Sequence, residues 1–275
     1  MPAASGNRFK LQGASVKEYR IREYVPSDIS ELKALWHSVF GDPSSLLDRF
    51  FHLLPQMGTC CLAESEGRVI GAAYILTNFL LRIPGQTDQR CAYLYAVATE
   101  ETWRGNGIGR AVSIGAAALG REMGAEVICT LPAEKSLYHW YASILNLKFV
   151  SMCPSFSSDE TALLYDPVSF SLFPVSETEY LICREGLLRN RPHIIPGSAV
   201  FSFQTALCQT YDGGLYRWRE GLFCAYREGH EIKVVEFLSP DTRLPFWLVQ
   251  NRQERCSVCT DAALPDRTVW NITLD

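Results

Sequence analysis

The octapeptide Trp103-Arg104-Gly105-Asn106-Gly107-Ile108-Gly109-Arg110 sets three glycines within five positions, with an arginine on each side. A glycine turn leading into a helix can bind an anion. Orphan backbone N–H groups and the positive end of the helix dipole converge there, and the missing Cβ atoms let a phosphate approach the backbone. Two phosphate-binding patterns are nevertheless not met. The dinucleotide fingerprint Gly-x-Gly-x-x-Gly needs a glycine where Arg110 stands, and the Walker pattern needs a Gly-Lys-Ser/Thr that is absent. Taken alone, the glycines fit a ligand-free turn as well as a phosphate loop.

The flanking elements must position such a turn, and they have the right periods. Gln89 to Ala98 is an apolar strand that feeds into the octapeptide. Beyond it Ile108, Val112, Gly115, Leu119 and Met123 form a helical stripe, and Gly124 stands where a glycine ends a helix. Upstream, Tyr19–Tyr24 alternates like a strand, and Pro26-Ser27-Asp28 opens a helix carrying Ile29, Leu32, Leu35, Trp36 and Val39. A second helix spans Ser45–Leu54. The strands Thr59–Glu64 and Val69–Leu81 read as a hairpin around Ser65-Glu66-Gly67. Downstream come a strand at Glu126–Thr130, an aromatic-rich helix at Ala133–Leu145, and a closing hairpin of Phe149–Cys153 with Thr161–Tyr165.

With those elements around it, the run from Val97 to Gly109 resembles the acyl-CoA signature of the GNAT superfamily of N-acetyltransferases, whose core Arg-x-x-Gly-x-Gly is met by Arg104, Gly107 and Gly109. The resemblance covers residues 18–166. It implies an α/β fold with a mixed, mostly antiparallel central sheet flanked by helices. It also implies acetyl-CoA as cosubstrate and no metal. The backbone from Arg104 through Gly105, Asn106, Gly107, Ile108 and Gly109 to Arg110 is then expected to wrap the pyrophosphate. The strand edge around Tyr95 and through Val97, Ala98 and Thr99 is expected to pair with the pantetheine arm, while Val127–Thr130 splays away. At least one of Arg104 and Arg110 is expected to face phosphate.

Acyl transfer from a thioester to an amine requires a base for the amine proton, a donor for the developing oxyanion and an acid for the departing thiolate. By the resemblance the oxyanion donor is a backbone N–H near Val97 or Ala98, and the acid is a tyrosine on the helix SLYHWYASILNLKF. Tyr141 is the better positional match and Tyr138 the other choice. The interval to Phe149 is longer than the family pattern, and Lys148 replaces the usual glycine. Glu100 and Glu101 follow the strand; Glu100 is the candidate base, although both could be solvated loop charges. His139 falls on a different helix face from the two tyrosines.

Composition bounds the rest. The chain has 275 residues with 47% hydrophobic and 12% aromatic content, enough for a large core and suggesting two domains. A net charge of −4 supplies no basic field for nucleic acid or an anionic membrane, so neither partner is expected. The N-terminal stretch does not have the pattern of a secretory signal, so a cytoplasmic location is expected. Most of the ten cysteines then read as core residues, and Cys256-Ser-Val-Cys259 lacks the second ligand pair of a zinc site. Oligomeric state leaves no trace in the sequence.

The domains expected are a flexible segment 1–17, a catalytic acetyl-CoA-binding domain 18–168 and a C-terminal domain 169–275. In the last, helices at Glu177–Leu188, capped by Ser176, and Ala199–Tyr211 precede strands at Leu215–Arg219, Leu222–Arg227, Ile232–Leu238, Cys256–Thr260 and Thr268–Leu274. This order echoes the first half. Val234–Val249 occupies the place of the strand, loop and helix around the octapeptide, but without Arg-x-x-Gly-x-Gly. A degenerate second copy of the fold is therefore expected, the alternative being an unrelated partner module. The chain also resembles multi-domain acetyltransferases related to the mycobacterial enhanced-intracellular-survival protein, which are longer. The expected function is N-acetylation of a primary amine on a small molecule or peptide. A catalytically silent acyl-CoA binder and, more distantly, a dinucleotide-dependent dehydrogenase are the alternatives.

Overall fold

The computed structural model describes residues 8–9, 18–132, 135–146, 155–156, 173–218, 221–229, 231–238 and 255–258. They fall into two compact units. One holds the described residues within 8–79 and 89–146, the other those within 80–88 and 155–258.

The first unit runs β1 (Arg8–Phe9), β2 (Tyr19–Glu23), α1 (Ile29–Phe40), α2 (Ser44–Met57), β3 (Gly58–Ser65), β4 (Arg68–Arg82, its last residues in the second unit), β5 (Gln89–Thr99), α3 (Ile108–Glu122), β6 (Val127–Thr130) and α4 (Lys135–Leu145). Its sheet has the order β1-β2-β3-β4-β5-β6. The β2–β3 and β3–β4 pairs are antiparallel and β5–β6 is parallel. This is the mixed, mostly antiparallel sheet flanked by helices that the sequence led us to expect.

Local chemistry accounts for these elements. In α1 the buried Leu32, Leu35 and Trp36 recur at helical spacing, and Gly41 ends the helix at φ 77°. The β3–β4 hairpin closes through Glu66 (φ 51°) and Gly67 (φ 78°), the two left-handed residues of a tight hairpin turn. One boundary differs. The sequence suggested that α2 stops at Leu54, before Pro55, but the helix continues to Met57, which is fully buried. A proline in the last turn removes one hydrogen bond, and burial of Met57 offsets that loss.

Helix α3 crosses from β5 to the parallel β6 and lies against the sheet. Ile108, Val112 and Ala116 pack there with Ala63, Ala73, Ile75, Ala92, Leu94 and Ile128. The approach is close because of Gly115, where a Cβ would overlap the Cys61 sulfur. No helix among the described residues is long and apolar enough to cross a membrane.

The second unit contains β7 (Ser155–Phe156), β8 (Phe173–Pro174), α5 (Glu177–Leu188), β9 (His193–Pro196), α6 (Ser198–Thr210), β10 (Gly214–Trp218), β11 (Gly221–Glu228), β12 (Glu231–Leu238) and β13 (Arg255–Val258). Ser176 caps α5 by accepting from the Glu179 N–H at 3.2 Å. Its sheet has the order β7-β13-β12-β11-β10-β8. The β8–β10–β11–β12 ladder is antiparallel and β12–β13 is parallel. Strands β8, β10, β11, β12 and β13 thus follow one another across the sheet as β2, β3, β4, β5 and β6 do in the first unit. Short β8 and β9 were not foreseen. The expected hairpin strands 149–153 and 161–165, the strand 268–274, Lys148 and Cys259 lie outside the described residues.

The apolar core of this unit, with Leu188, Phe201, Leu215, Leu222 and Leu238, also contains a buried ion pair. The Arg184 Nε donates to Glu236 Oε1 at 2.9 Å, and the Tyr180 hydroxyl donates to Glu236 Oε2 at 2.9 Å, with all three residues at most 2% exposed.

Candidate active site

Three elements meet at the octapeptide: the end of β5, a short turn and the start of α3. A 3₁₀ turn over Glu101–Trp103 is held by the Trp103 N–H on Glu100 O (2.9 Å) and the Arg104 N–H on Glu101 O (3.1 Å). The Asn106 side chain then folds back, donating to the carbonyls of Trp103 and Arg104, each at 3.1 Å. These bonds tie the loop back onto its own turn.

Gly107 caps α3 at φ 75° and Gly105 stands at φ 78°, and a Cβ at either would meet nothing within 4 Å. The left-handed backbone favours glycine at both. Gly109 is different. It is not left-handed, and a Cβ there would find only ordinary contacts, to Thr99 Oγ1 at 3.6 Å and the Trp140 ring at 3.9 Å. The protein's own packing therefore does not demand glycine at 109, whereas close approach of a ligand to the backbone would.

The first bond that closes the helix is from the Ala111 N–H to Gly107 O, 3.0 Å. The N–H groups of Ile108, Gly109 and Arg110 precede it and have no intrahelical acceptor. With the dipole of a 15-residue helix behind them, these donors suit a phosphate. Arg104 and Arg110 are both exposed at its sides, and Arg104 Nε lies 3.5 Å from Thr99 O.

Among the described residues, the pairing of β5 with β6 stops short of the end of β5. Parallel pairing with β6 runs from Cys91↔Val127 to Leu94↔Thr130, where β6 ends, while β5 continues through Val97, Ala98 and Thr99. Between the two stretches Ala96 takes φ 47°, a left-handed conformation inside a strand. Such an irregularity turns the following N–H groups and breaks the alternation of side chains. Leu94 is buried in the core beneath α3, and after the irregularity Val97 packs against that core as well. Nothing in the sequence signals this kink, since alanine has no preference for left-handed backbone.

The candidate acid and base occupy contrasting environments. Tyr141 on α4 is 8% exposed, set in the core with Leu94, Ile108 and Ile128, its ring edge-on to Trp140 at 4.7 Å between centroids. Burial pushes its hydroxyl pKa up to about 12. Tyr138 is half-buried and His139 exposed. The Glu100 carboxylate accepts from the Thr102 hydroxyl at 3.2 Å and lies 3.7 Å from Arg68 Nη2. Glu101 is exposed. Trp140, which sequence reasoning passed over, lies beside Gly109. Among the described residues no cluster of three or more His, Cys, Asp or Glu could hold a metal.

Known proteins with this architecture point the same way. Residues 20–142 match the family model for an acetyltransferase (GNAT) domain. No curated protein matches the sequence. Among solved structures, a GCN5-related N-acetyltransferase from Kribbella flavida is similar with TM-score 0.59 at 14% identity, over 87% of this chain and 64% of that one. Eis1 from Mycobacterium abscessus gives 0.56 at 12% identity, over 87% and 65%. A probable N-acyltransferase from Enterococcus faecalis V583 gives 0.58 at 12% identity, over 94% and 70%. At such identities the likeness establishes the fold. The chain spans just under two thirds of the length of the first two.

Proposed function

We propose that the GNAT acetyltransferase domain formed by residues 20–142 transfers an acetyl group from acetyl-CoA to a primary amine by direct attack in a ternary complex. The observation that carries this reading is the loop ahead of α3: orphan N–H groups at Ile108–Arg110, and a glycine at 109 that the surrounding packing does not require. Gly105–Arg110 would hold the pyrophosphate, with Arg104 and Arg110 as flanking cations. The edge of β5 at Val97, Ala98 and Thr99, beyond the reach of β6, would take the pantetheine arm.

When bound, acetyl-CoA supplies a thioester carbonyl open to attack. A nitrogen–carbon bond forms and the carbon–sulfur bond breaks. The N–H of Val97 or Ala98, turned by the kink at Ala96, is the candidate donor to the carbonyl oxygen. Tyr141 donates a proton to the leaving sulfur, and Glu100 takes the proton that the amine gives up. The acceptor is a small molecule or peptide amine. Buried free cysteines such as Cys60, Cys61 and Cys208 suit a reducing compartment, and we place the reaction in the cytoplasm. The repeated strand order supports reading the second unit as a degenerate copy of the fold.

One observation favours the rival reading of a silent acyl-CoA binder. A phenol with a pKa of about 12 is a weak acid for a thiolate. Calorimetry with acetyl-CoA, CoA and NAD, followed by thiol release with an amine panel, tests both. Binding of CoA with acetyl transfer to any amine supports the enzyme. Binding without transfer supports the silent binder, and binding of NAD alone would overturn both.

A further inference from the structure

The side chains of β5 divide between two surfaces. Ala92 and Leu94 enter the core that α3 and β6 build, whereas Tyr93 and Tyr95 face a cluster of rings from α1, α2 and β4. The Tyr95 ring centroid lies 5.8 Å from Trp36, 6.0 Å from Phe50 and 5.9 Å from Tyr93, and Tyr93 lies 6.0 Å from Phe79. Behind them Trp36, Phe50, Tyr74 and Phe79 are at most 4% exposed, but Tyr93 and Tyr95 are only half-buried. The cluster therefore keeps two tyrosines partly accessible at its rim.

Their position matters more than their number. Tyr95 is the residue before the left-handed Ala96, so its ring is the last on that face before Val97–Thr99, the segment that runs past the pairing with β6. Helix α3 and its core fill the other face of β5. An amine that reaches an acyl group held along this edge must come from the face that α3 does not cover, and it passes Tyr95. A surface of half-buried tyrosine rings recognises flat apolar bodies by stacking and edge contacts, and it attracts the ammonium form of an amine through the ring faces.

We propose that the acceptor is an arylalkylamine, an aromatic ring joined to a primary amine by a short chain, with Tyr95 as the specificity-determining residue and Tyr93 extending the same surface. This inference rests on the acetyl-transfer reading above. The ring of the acceptor packs on Tyr95, and its amine extends along the strand toward Val97.

The test uses the full chain, acetyl-CoA and thiol release with phenethylamine, tyramine and tryptamine against butylamine, spermidine and a lysine peptide. The expected result is a kcat/KM at least tenfold higher for the aryl amines. Tyr95→Leu should cut that preference at least fivefold, chiefly through the KM of the amine, with the acetyl-CoA Kd unchanged by calorimetry. Tyr95→Phe should keep the preference, which a loss of folding could not mimic. Normal acetyl-CoA binding with butylamine, spermidine or peptide used as well as the aryl amines, or with a preference that Tyr95→Leu leaves intact, would overturn this proposal alone, whereas binding with no amine acetylated would support the silent binder and overturn both readings. Absence of acetyl-CoA binding by the unmodified protein would overturn the acetyl-transfer reading and this one with it.

Discussion

Replacing Tyr141 by phenylalanine keeps the ring that packs on Trp140 and removes only the hydroxyl. For a thiol of ordinary pKa near 8.5, donation from a phenol at about 12 is uphill by about 5 kcal/mol, against about 2 for an unburied tyrosine. An acid this mismatched is expected near the lower end of the usual span. Tyr141→Phe should therefore lower kcat about 10²-fold, leaving the acetyl-CoA Kd unchanged. Because only the deprotonated phenol is inactive, no loss of activity with rising pH should come from Tyr141 until about pH 12. A kcat that falls near pH 9 in the wild type and not in Tyr141→Phe would contradict this, and normal turnover by Tyr141→Phe with loss in Tyr138→Phe would move the acid to Tyr138. At position 107 the left-handed backbone complicates any substitution, but asparagine and aspartate both tolerate it. Gly107→Asn and Gly107→Asp share the strain and differ by one negative charge beside the phosphate site. The aspartate variant should bind CoA at least tenfold more weakly than the asparagine variant; equal affinities would remove the pyrophosphate from this loop.

Among the elements, α3 shows what the sequence could and could not disclose. Its apolar stripe, its glycine entrance and its end near Gly124 were all legible, since period and turn chemistry are written in residue types. What Gly115 does was not legible. A mid-helix glycine ordinarily costs about 1 kcal/mol relative to alanine, so alanine would be the better helix former. In the fold, however, an added Cβ overlaps Cys61 Sγ and lies 3.3 Å from Ile21 Cγ2. Gly115→Ala should thus destabilise the protein by about 1–3 kcal/mol in denaturant unfolding. Pairing it with Cys61→Ala, which removes the sulfur, should recover part of that loss. Strictly additive effects would show that the clash is not what limits position 115. The same contrast holds for β5: its apolar run was readable, but the kink at Ala96, the edge beyond Leu94 and the ring surface at Tyr95 arise from tertiary packing of residues far apart in sequence. The loop glycines could be found by motif, whereas the burial that sets the acidity of Tyr141 could not.

Across the whole molecule, one glycine loop and two similar sheets imply one cofactor site and two separately stabilised cores. The octapeptide occurs once, so calorimetry should find one CoA per chain; two equivalent sites would mean that the second unit retains a binding loop of different sequence. Both cores are largely apolar, but that of the second unit also buries Arg184 and Glu236 against Tyr180. Removing the Glu236 charge leaves the buried Arg184, among the described residues, with only Glu185, whose Oε1 lies 3.5 Å from its Nη1, and Glu236→Gln should cost about 3–5 kcal/mol. Saturation with CoA acts in the opposite sense, stabilising the unit that binds it by about 2.7 kcal/mol at a hundredfold excess over Kd. In differential scanning calorimetry, CoA should therefore raise the transition of the first unit, and Glu236→Gln should lower that of the second. CoA raising the very transition that Glu236→Gln lowers, with another left unmoved, would put the cofactor on the second unit and overturn the assignment of the site to residues 104–110.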